Sequence, residues 1–408
     1  SLQARLQAAR SPDAILAEVH AHGSEFNDVN AATALNRLAK QRVRPGKAGV
    51  LSVVKLVEGL VPGFPQSTPQ TLSNTVWALA SLRVQVPEAD KVLEAIEDEV
   101  ASRPDVFSSQ HLGTVAWSFA KLQCQKDRLV FQSINAEVVR RLPTVGGPPG
   151  LQDFSPQTCA NLLWALATAG NTEADVFVTI GDRGLAAPAI ADFSVQGIAN
   201  CVWAYARSSY FDREVFRSIA ETARSRMPEF GIQENANVCW AFATTGFYDS
   251  EFFRDAAAGV EGAISHAEAR HVSALAWSHS RARVGTVLPT LAREICKQER
   301  LDQQVAVNCA WAFSQARRPV DADVSNGALE AVRRNLEAGV RDWESHALAG
   351  CTWALAARGM LGSELAAIVC AEVTRRVESL GEEVDESTLS PDEFAQGLSS
   401  QTQWTGAR

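Results

Sequence analysis

The chain has 408 residues, more than one ordinary compact core holds, so its length predicts several domains or an elongated architecture. A formal net charge of −9 excludes a uniformly basic nucleic-acid-binding surface but leaves room for a local basic strip. No run of eighteen apolar residues occurs, so we expect no membrane-spanning helix. The eight cysteines include no Cys-x-x-Cys pair and are expected to be small core residues in a reducing compartment.

The chain is built from a repeated unit. A degenerate repeat is predicted over about residues 1–60, where NDVNAATALNRLAK resembles the later units, and regular repeats follow over about 61–380. Each regular repeat has one tryptophan before an Ala or Ser, and these tryptophans are Trp77, Trp117, Trp164, Trp203, Trp240, Trp277, Trp311 and Trp353. Their spacing of 34 to 47 residues is typical of helix–turn–helix units in solenoids.

The regular units share one signal for the start of a helix. The predicted N-caps are Thr68, Ser108, Ser155 and Ser194. A phenylalanine precedes each of the three serines, which is the arrangement of a hydrophobic staple before a capping hydroxyl. A second, ordinary amphipathic helix is predicted after each first one, as over residues 211–227.

These patterns predict an all-α fold, an α-solenoid of about eight to ten helix–turn–helix repeats of roughly 37–42 residues each. We expect one helical-repeat domain over residues 1–408. It ends in a degenerate capping repeat over about 381–408, where LSPDEFAQGLSSQTQW copies the start signal without its tryptophan.

A narrow polar stripe runs along the predicted first helices. With the tryptophan at 0°, the positions seven before, three before and four after it lie at about 20°, 60° and 40°. Six Gln recur at the first of these positions and five Asn at the second, whereas the third position varies. The candidate RNA-binding residues on this stripe are Gln70, Asn74, Gln110, Lys121, Gln157, Asn161, Gln196, Asn200, Arg207, Gln233, Asn237, Arg270, Arg281, Gln304 and Asn308.

Two interpretations of the polar stripe stay open. The amides could form a ladder in which each satisfies a polar group of the next repeat, because buried polar groups must be paired. Alternatively, the stripe lines a concave groove that holds the phosphates and base edges of a nucleic acid. In that case the constant amides hold the backbone, and any sequence preference arises at the varying third position.

The charge distribution gives the groove modest support. Fourteen-residue windows around the eight tryptophans contain five basic residues and one acidic residue, so the acidic residues are concentrated on second helices and loops. Basic patches elsewhere in the chain either extend the rim of the groove or are solvated surface. These patches lie at residues 40–47, 140–143, 281–284 and 316–319.

The sequence indicates no catalytic chemistry. The recurring tryptophans could stack on bases, but their identical positions beside alanine or serine favour a buried wedge between neighbouring hairpins. His266, His271 and His279 lack the spacing of a metal site. No phosphate-binding loop, dinucleotide fingerprint or nucleophile elbow is present. We therefore expect no metal, no cofactor and no enzymatic activity.

The units FSPQTCANLLWALATAG, TPQTLSNTVWALASL and IQENANVCWAFATTG resemble the octotricopeptide repeat family and its heptatricopeptide relatives, whose helices have a P-Q-x-L-A-N-x-x-W-A-x-A-like pattern. The resemblance covers about residues 26–404. It implies an RNA-binding α-solenoid of the mitochondrion or chloroplast that acts in RNA metabolism or translation, or binds ribosomal RNA as part of a ribosome. The alternative is a protein–protein scaffold, or an accessory subunit of a large organellar complex, that binds no RNA.

Overall fold

A computed structural model of the chain describes residues 1–43, 48–123, 129–142, 153–171, 174–261, 264–315 and 319–383. Over these residues the regular structure is helical and no β-strand is present. The contacts divide the chain into two compact units, Ser1–Ala267 with Arg281–Val287, and Glu268–Ser280 with Leu288–Arg408. The expectation of one domain over 1–408 stays a prediction, and the capping repeat over 381–408 lies outside the described residues apart from the last turn of a helix.

In the first unit the helices are α1 (Leu2–Ala8), α2 (Pro12–His22), α3 (Asp28–Lys40), α4 (Ala48–Gly59), α5 (Pro69–Leu82), α6 (Pro87–Ser102), α7 (Ser109–Lys121), α8 (Leu129–Arg141), α9 (Pro156–Ala169), α10 (Ala174–Ile180), α11 (Val195–Arg207), α12 (Arg213–Ser225), α13 (Ile232–Thr245) and α14 (Ser250–Glu261). In the second unit they are α15 (Ala269–Arg281, without its last residue), α16 (Leu288–Cys296), α17 (Gln303–Ser314), α18 (Pro319–Glu337), α19 (Ser345–Ala357) and α20 (Ser363–Glu383).

Consecutive hairpins stack in two layers. In the first unit, each of α3, α5, α7, α9 and α11 packs against the next odd-numbered helix, and α4, α6, α8 and α10 form the other layer in the same way. In the second unit α17 packs against α19, and α16 against α18. We call α3 and the tryptophan-bearing helices first helices, and their hairpin partners second helices. The prediction of an all-α solenoid is confirmed, because each hairpin buries its apolar faces against its neighbours.

The start signal works as the sequence predicts. The side-chain oxygens of Thr68, Ser108, Ser155 and Ser194 each accept a hydrogen bond of 3.1 to 3.3 Å from the backbone N–H three residues later. The staple phenylalanines Phe107, Phe154 and Phe193 are buried. Each cap therefore fixes where a first helix begins, which keeps the same positions in register from one repeat to the next.

Small residues let the first helices approach one another closely. Gly113 in α7 faces α9, and a Cβ atom added there would lie 3.1 Å from Cγ2 of Thr158. Such a contact is tighter than most Cβ contacts, so an added methyl group would require the Thr158 side chain to shift by a few tenths of an ångström.

An arginine at or near the end of several second helices bonds the chain segment that precedes its own hairpin. The guanidinium of Arg141 donates to the carbonyl oxygens of Phe107, Pro104 and Asp105 at 2.7, 3.2 and 3.0 Å. Equivalent bonds run from Arg103 to Phe64 and Ser67, from Arg226 to Phe193, and from Arg376 to Trp343. We call these arginines (Arg103, Arg141, Arg226 and Arg376) the clamp arginines.

The clamp corrects the prediction for the basic patch at 140–143. The Arg141 side chain is only 17% exposed and also pairs with the buried Glu137 at 2.5 Å, so it neither extends a groove rim nor is simply solvated. Its neighbour Arg140 is 64% exposed and pairs with the same carboxylate at 2.6 Å. Residues 44–47 of the patch at 40–47 and residues 316–318 of the patch at 316–319 lie outside the described residues.

Candidate nucleic-acid interface

The first helices α5, α9 and α11 reach solvent along one line of four positions. In α9, Gln157 and Thr168 are exposed, Asn161 and Trp164 are half-buried, and every residue between these four is buried. These positions are seven before, three before, at and four after the tryptophan, and they span an arc of about 60° on the helix. In these helices the remaining circumference is buried, so this arc is the solvent-accessible surface of their layer.

Each candidate residue lies at one of these positions on its own first helix. At the position seven before the tryptophan the exposed residues are Gln70, Gln110, Gln157, Gln196, Gln233, Arg270 and Gln304. At the position three before it the half-buried residues are Asn74, Asn161, Asn200, Asn237 and Asn308. At the position four after it, Lys121 and Arg207 are exposed and Arg281 is half-buried. Of these residues, Arg270, Gln304 and Asn308 belong to the second unit and the others to the first.

The tryptophans stack on one another along this surface. In the first unit Trp117, Trp164, Trp203 and Trp240 form a ladder with ring centroids 6.4, 6.4 and 6.3 Å apart and interplanar angles of 30° to 37°. All four rings are half-buried. The prediction of a buried wedge is therefore wrong in part: the rings do fill the space between neighbouring repeats, but on the one arc that no other helix covers.

The second unit repeats this arrangement in part. The rings of Trp277 and Trp311 are 6.2 Å apart, at an interplanar angle of 55°, and both are half-buried. Trp353 in α19 is exposed. Indole surface is therefore accessible along the first helices of both units.

Among the described residues, the amides of the polar stripe do not form a ladder between repeats. The hydrogen bond between Gln304 and Asn308, 3.0 Å long, lies within α17. Across repeats, the Gln70 side chain meets His111, with Oε1 3.2 Å from Nε2. The amides of Asn161 and Asn200 have no protein partner in the part of the chain that the structure describes. Most of the stripe amides therefore remain available to solvent or a ligand.

The tautomer of His111 follows from its two contacts. Its Nδ1 accepts a hydrogen bond from the backbone N–H of Ser108 at 3.3 Å, so Nε2 must carry the proton that it donates to Gln70. Partial burial lowers the pKa of His111, which favours this neutral form at neutral pH. The contact ties the first two tryptophan repeats together without placing a charge on the stripe.

The cations on the stripe differ in whether other side chains of the protein pair with them. Lys121 and Arg207 are exposed and have no ionic partner within the described ranges. Arg270 forms an exposed ion pair with Glu268 at 2.8 Å, and Nε of Arg281 donates to the Tyr248 hydroxyl at 3.3 Å. Lys121 and Arg207 are thus the stripe cations best able to contact an anionic ligand.

Sequence reasoning missed two exposed aromatic residues at one end of this surface. Phe211 and Tyr248 each lie eight residues after a tryptophan of the ladder, in the turns that follow α11 and α13. The signal was present, because the sequences YFD and FYD recur at the same distance from consecutive tryptophans.

The stripe combines amide donors and acceptors, indole faces and cations on one surface. Within the described ranges, no group of three His, Cys, Asp or Glu residues could hold a metal ion. Burial raises the pKa of the Cys159 and Cys351 thiols to about 12, which keeps both protonated. His271 and His279 are buried, and the His266 side chain lies outside the description.

No helix in the described part of the chain is both long enough and apolar enough to cross a membrane. In comparisons with known proteins, no family model matches the chain, and no curated protein matches it.

Proposed function

We propose that the chain is a helical-repeat protein that binds single-stranded RNA along the polar stripe and the tryptophans beside it. The proposal extends to a role in RNA metabolism or translation in the mitochondrion or chloroplast, including a structural place on ribosomal RNA. That cellular part rests on the resemblance to octotricopeptide and heptatricopeptide repeats alone.

One observation carries the proposal. The consecutive first helices α9, α11 and α13 present the same solvent-facing line of amide, amide and indole, in register, and most of the stripe amides have no partner among the described residues. Amides can hydrogen-bond to phosphates, riboses and base edges, and aromatic faces stack on unpaired bases. The cations Lys121 and Arg207 lie on the same line and can neutralise phosphates.

A protein-binding scaffold is the second candidate function. It is favoured by apolar side chains exposed in the second unit, namely Trp353 on α19 and Val373 and Val377 on α20. The two valines lie one helical turn apart, so they share a face of α20 that a protein partner could cover.

The test is a titration of the full chain with a fluorescently labelled, unstructured single-stranded RNA of about twenty nucleotides, followed by anisotropy at several salt concentrations. The variant is K121A/R207A, and the matched control is K55A/K91A. The control removes two equally exposed cations from the second helices, where they pair with Glu88 and Glu58.

We expect K121A/R207A to bind about tenfold more weakly at physiological salt. If each cation contacts one phosphate, the slope of log K against log salt should fall by about 1.4, since each contact to a single strand contributes about 0.7. The control should bind like the wild type. A wild-type chain that binds no RNA, or a control that weakens binding as much as the variant does, contradicts the proposal.

A further inference from the structure

Two consecutive hairpins of the first unit expose an aromatic ring at the same place. Phe211, between α11 and α12, is 47% exposed, and Tyr248, between α13 and α14, is 46% exposed. Both lie eight residues after a tryptophan of the ladder, just past the end of the first helix. The two rings therefore occupy equivalent positions at the loop end of the stripe surface.

The backbone turn is the same in both hairpins and fixes these positions. Residues Ser209 and Gly246 have left-handed φ values of 56° and 75°. In the residues that follow, the N–H of Tyr210 donates to the carbonyl of Tyr205, and the N–H of Phe247 to that of Phe242, both at 2.9 Å. These bonds close the helix end as in a Schellman motif and hold the next side chain in place.

The turn does not need an aromatic ring at this position. The hairpin of α5 and α6 makes the same turn, with Arg83 at φ 52° and the N–H of Val84 bonded to the carbonyl of Leu79 at 3.1 Å. There the equivalent exposed residue is Gln85. Phe211 precedes the N-cap Asp212 and covers Phe216, four residues past that cap, as a hydrophobic staple. Because the staple uses only one side of the ring, the exposed half of the side chain is left to contact a ligand.

Each ring is anchored on one side and open on the other. The ring of Phe211 packs against Phe216 at a centroid distance of 4.9 Å and lies 6.5 Å from Phe247. The hydroxyl of Tyr248 donates to the carbonyl of Ala243 at 3.4 Å and accepts from Nε of Arg281, a residue of the same unit. Both rings are thus held ready to receive a flat partner without first becoming ordered.

The charge around the two rings suits an anionic strand. Arg207, at the last position of α11, is exposed four residues before Phe211, and Arg281 contacts Tyr248. The nearby carboxylates of Asp212 and Asp249 accept backbone N–H bonds of 2.8 to 3.0 Å at the starts of α12 and α14. These caps offset part of the acidic charge, because the N-terminal end of a helix is positive.

We propose that Phe211, Tyr248, Arg207 and Arg281 form a stacking subsite that holds unpaired bases of the RNA strand at the loop end of the stripe. This inference rests on the proposed RNA binding and deepens it. Flat aromatic faces beside guanidinium groups are a surface on which unpaired bases stack. The subsite lies in the hairpins of α11–α14, so it anchors the part of the strand that reaches these hairpins.

The test compares F211L/Y248L with the wild type in the same anisotropy titration. Leucine retains the apolar cover over Phe216 and removes the aromatic face, so the fold should persist; an unchanged Tm checks this. The control is V106A/V377A, which truncates two exposed apolar side chains outside these hairpins. A second readout maps photocrosslinks from RNA that contains 4-thiouridine by mass spectrometry of the digested protein.

We expect F211L/Y248L to bind RNA about tenfold more weakly, in line with the usual contribution of stacked bases, while the control is unchanged. Crosslinked peptides should include Phe211 or Tyr248. If the wild type binds RNA and K121A/R207A weakens it, but F211L/Y248L binds normally and no crosslink falls in these turns, the subsite is overturned and the proposed function stands. A wild-type chain that binds no RNA overturns both.

Discussion

The two helix layers of the first unit differ in whether their exposed polar groups are paired with other protein groups. Second helices satisfy their charges against one another: Lys55 of α4 pairs with Glu88 of α6 at 3.6 Å, and Arg224 of α12 with Asp255 of α14 at 2.9 Å. The first helices expose Lys121 and most of the amides of the polar stripe without a partner among the described residues. Charged groups of the second helices thus pair between neighbouring repeats, whereas most of the stripe amides have no protein partner among the described residues.

The strongest test of this contrast removes a clamp arginine. We expect R141A to lower the free energy of unfolding by about 2–3 kcal/mol, because three carbonyl oxygens lose a largely buried donor and the buried carboxylate of Glu137 loses one of its two arginine partners. The adjacent R140A is the matched control, and it should cost under about 1 kcal/mol, because Arg140 is mostly exposed. Chemical denaturation measures both. Equal losses would mean that the clamp does not stabilise the hairpin.

Acid should weaken the ion pairs of the second helices. Hydrogen bonds from Arg375 and Arg376 hold the pKa of the buried Glu372 to about 2, whereas an unfolded glutamate has a pKa of about 4.3. A pKa that is lower in the folded state contributes stability above the unfolded value, and this is lost as the pH falls from about 4.3 to about 2.

The measurement is the denaturation midpoint of wild type and E372Q between pH 2 and 7. The wild type should be the more stable above pH 5, and the difference should shrink toward pH 2. Glu137 is expected to act in the same direction, since the hydrogen bond from Arg140 also lowers its pKa. A difference that does not change with pH would argue against this role of the ionised carboxylate.

The smallest effect on stability is expected on the stripe side. The triple variant N161A/N200A/N237A should change the unfolding free energy by no more than about 0.5 kcal/mol per site, as at other surface positions. An amide ladder would instead cost about 1 kcal/mol per lost hydrogen bond. Thermal denaturation distinguishes the two, and RNA titration of the same variant should show weaker binding. A large loss of stability would restore the ladder interpretation.

The sequence was sufficient to predict the features that depend on position along one helix. The recurring tryptophans gave the repeat, the capping serines gave the helix starts, and the helical angles placed the stripe on one line, which the exposure of Gln157 and Asn161 in α9 bears out. These features follow from local helix geometry. The N-cap fixes the residue at which a helix begins, and the position of each later residue along the chain fixes its angle around the helix axis.

Features that depend on the distance to another helix escaped prediction. The angle of Trp164 says where its ring points but not that the ring of Trp203 lies 6.4 Å away on an arc that no helix covers. The clamp of Arg141 joins residues 34 to 37 positions apart through backbone carbonyls, which leave no trace in side-chain patterns. Its one local sign is the Glu-x-x-x-Arg spacing of Glu137 and Arg141, which by itself also suits an ordinary surface pair.

The tryptophan ladder has an optical consequence. Indole rings this close exchange excitation energy, so light absorbed at Trp117 can be emitted from Trp240 three rings away. A molecule that quenches any one of the four rings therefore dims the emission of all of them. The intrinsic fluorescence of the unmodified chain is expected to register occupancy anywhere along the ladder, at the cost of not revealing which repeat is occupied.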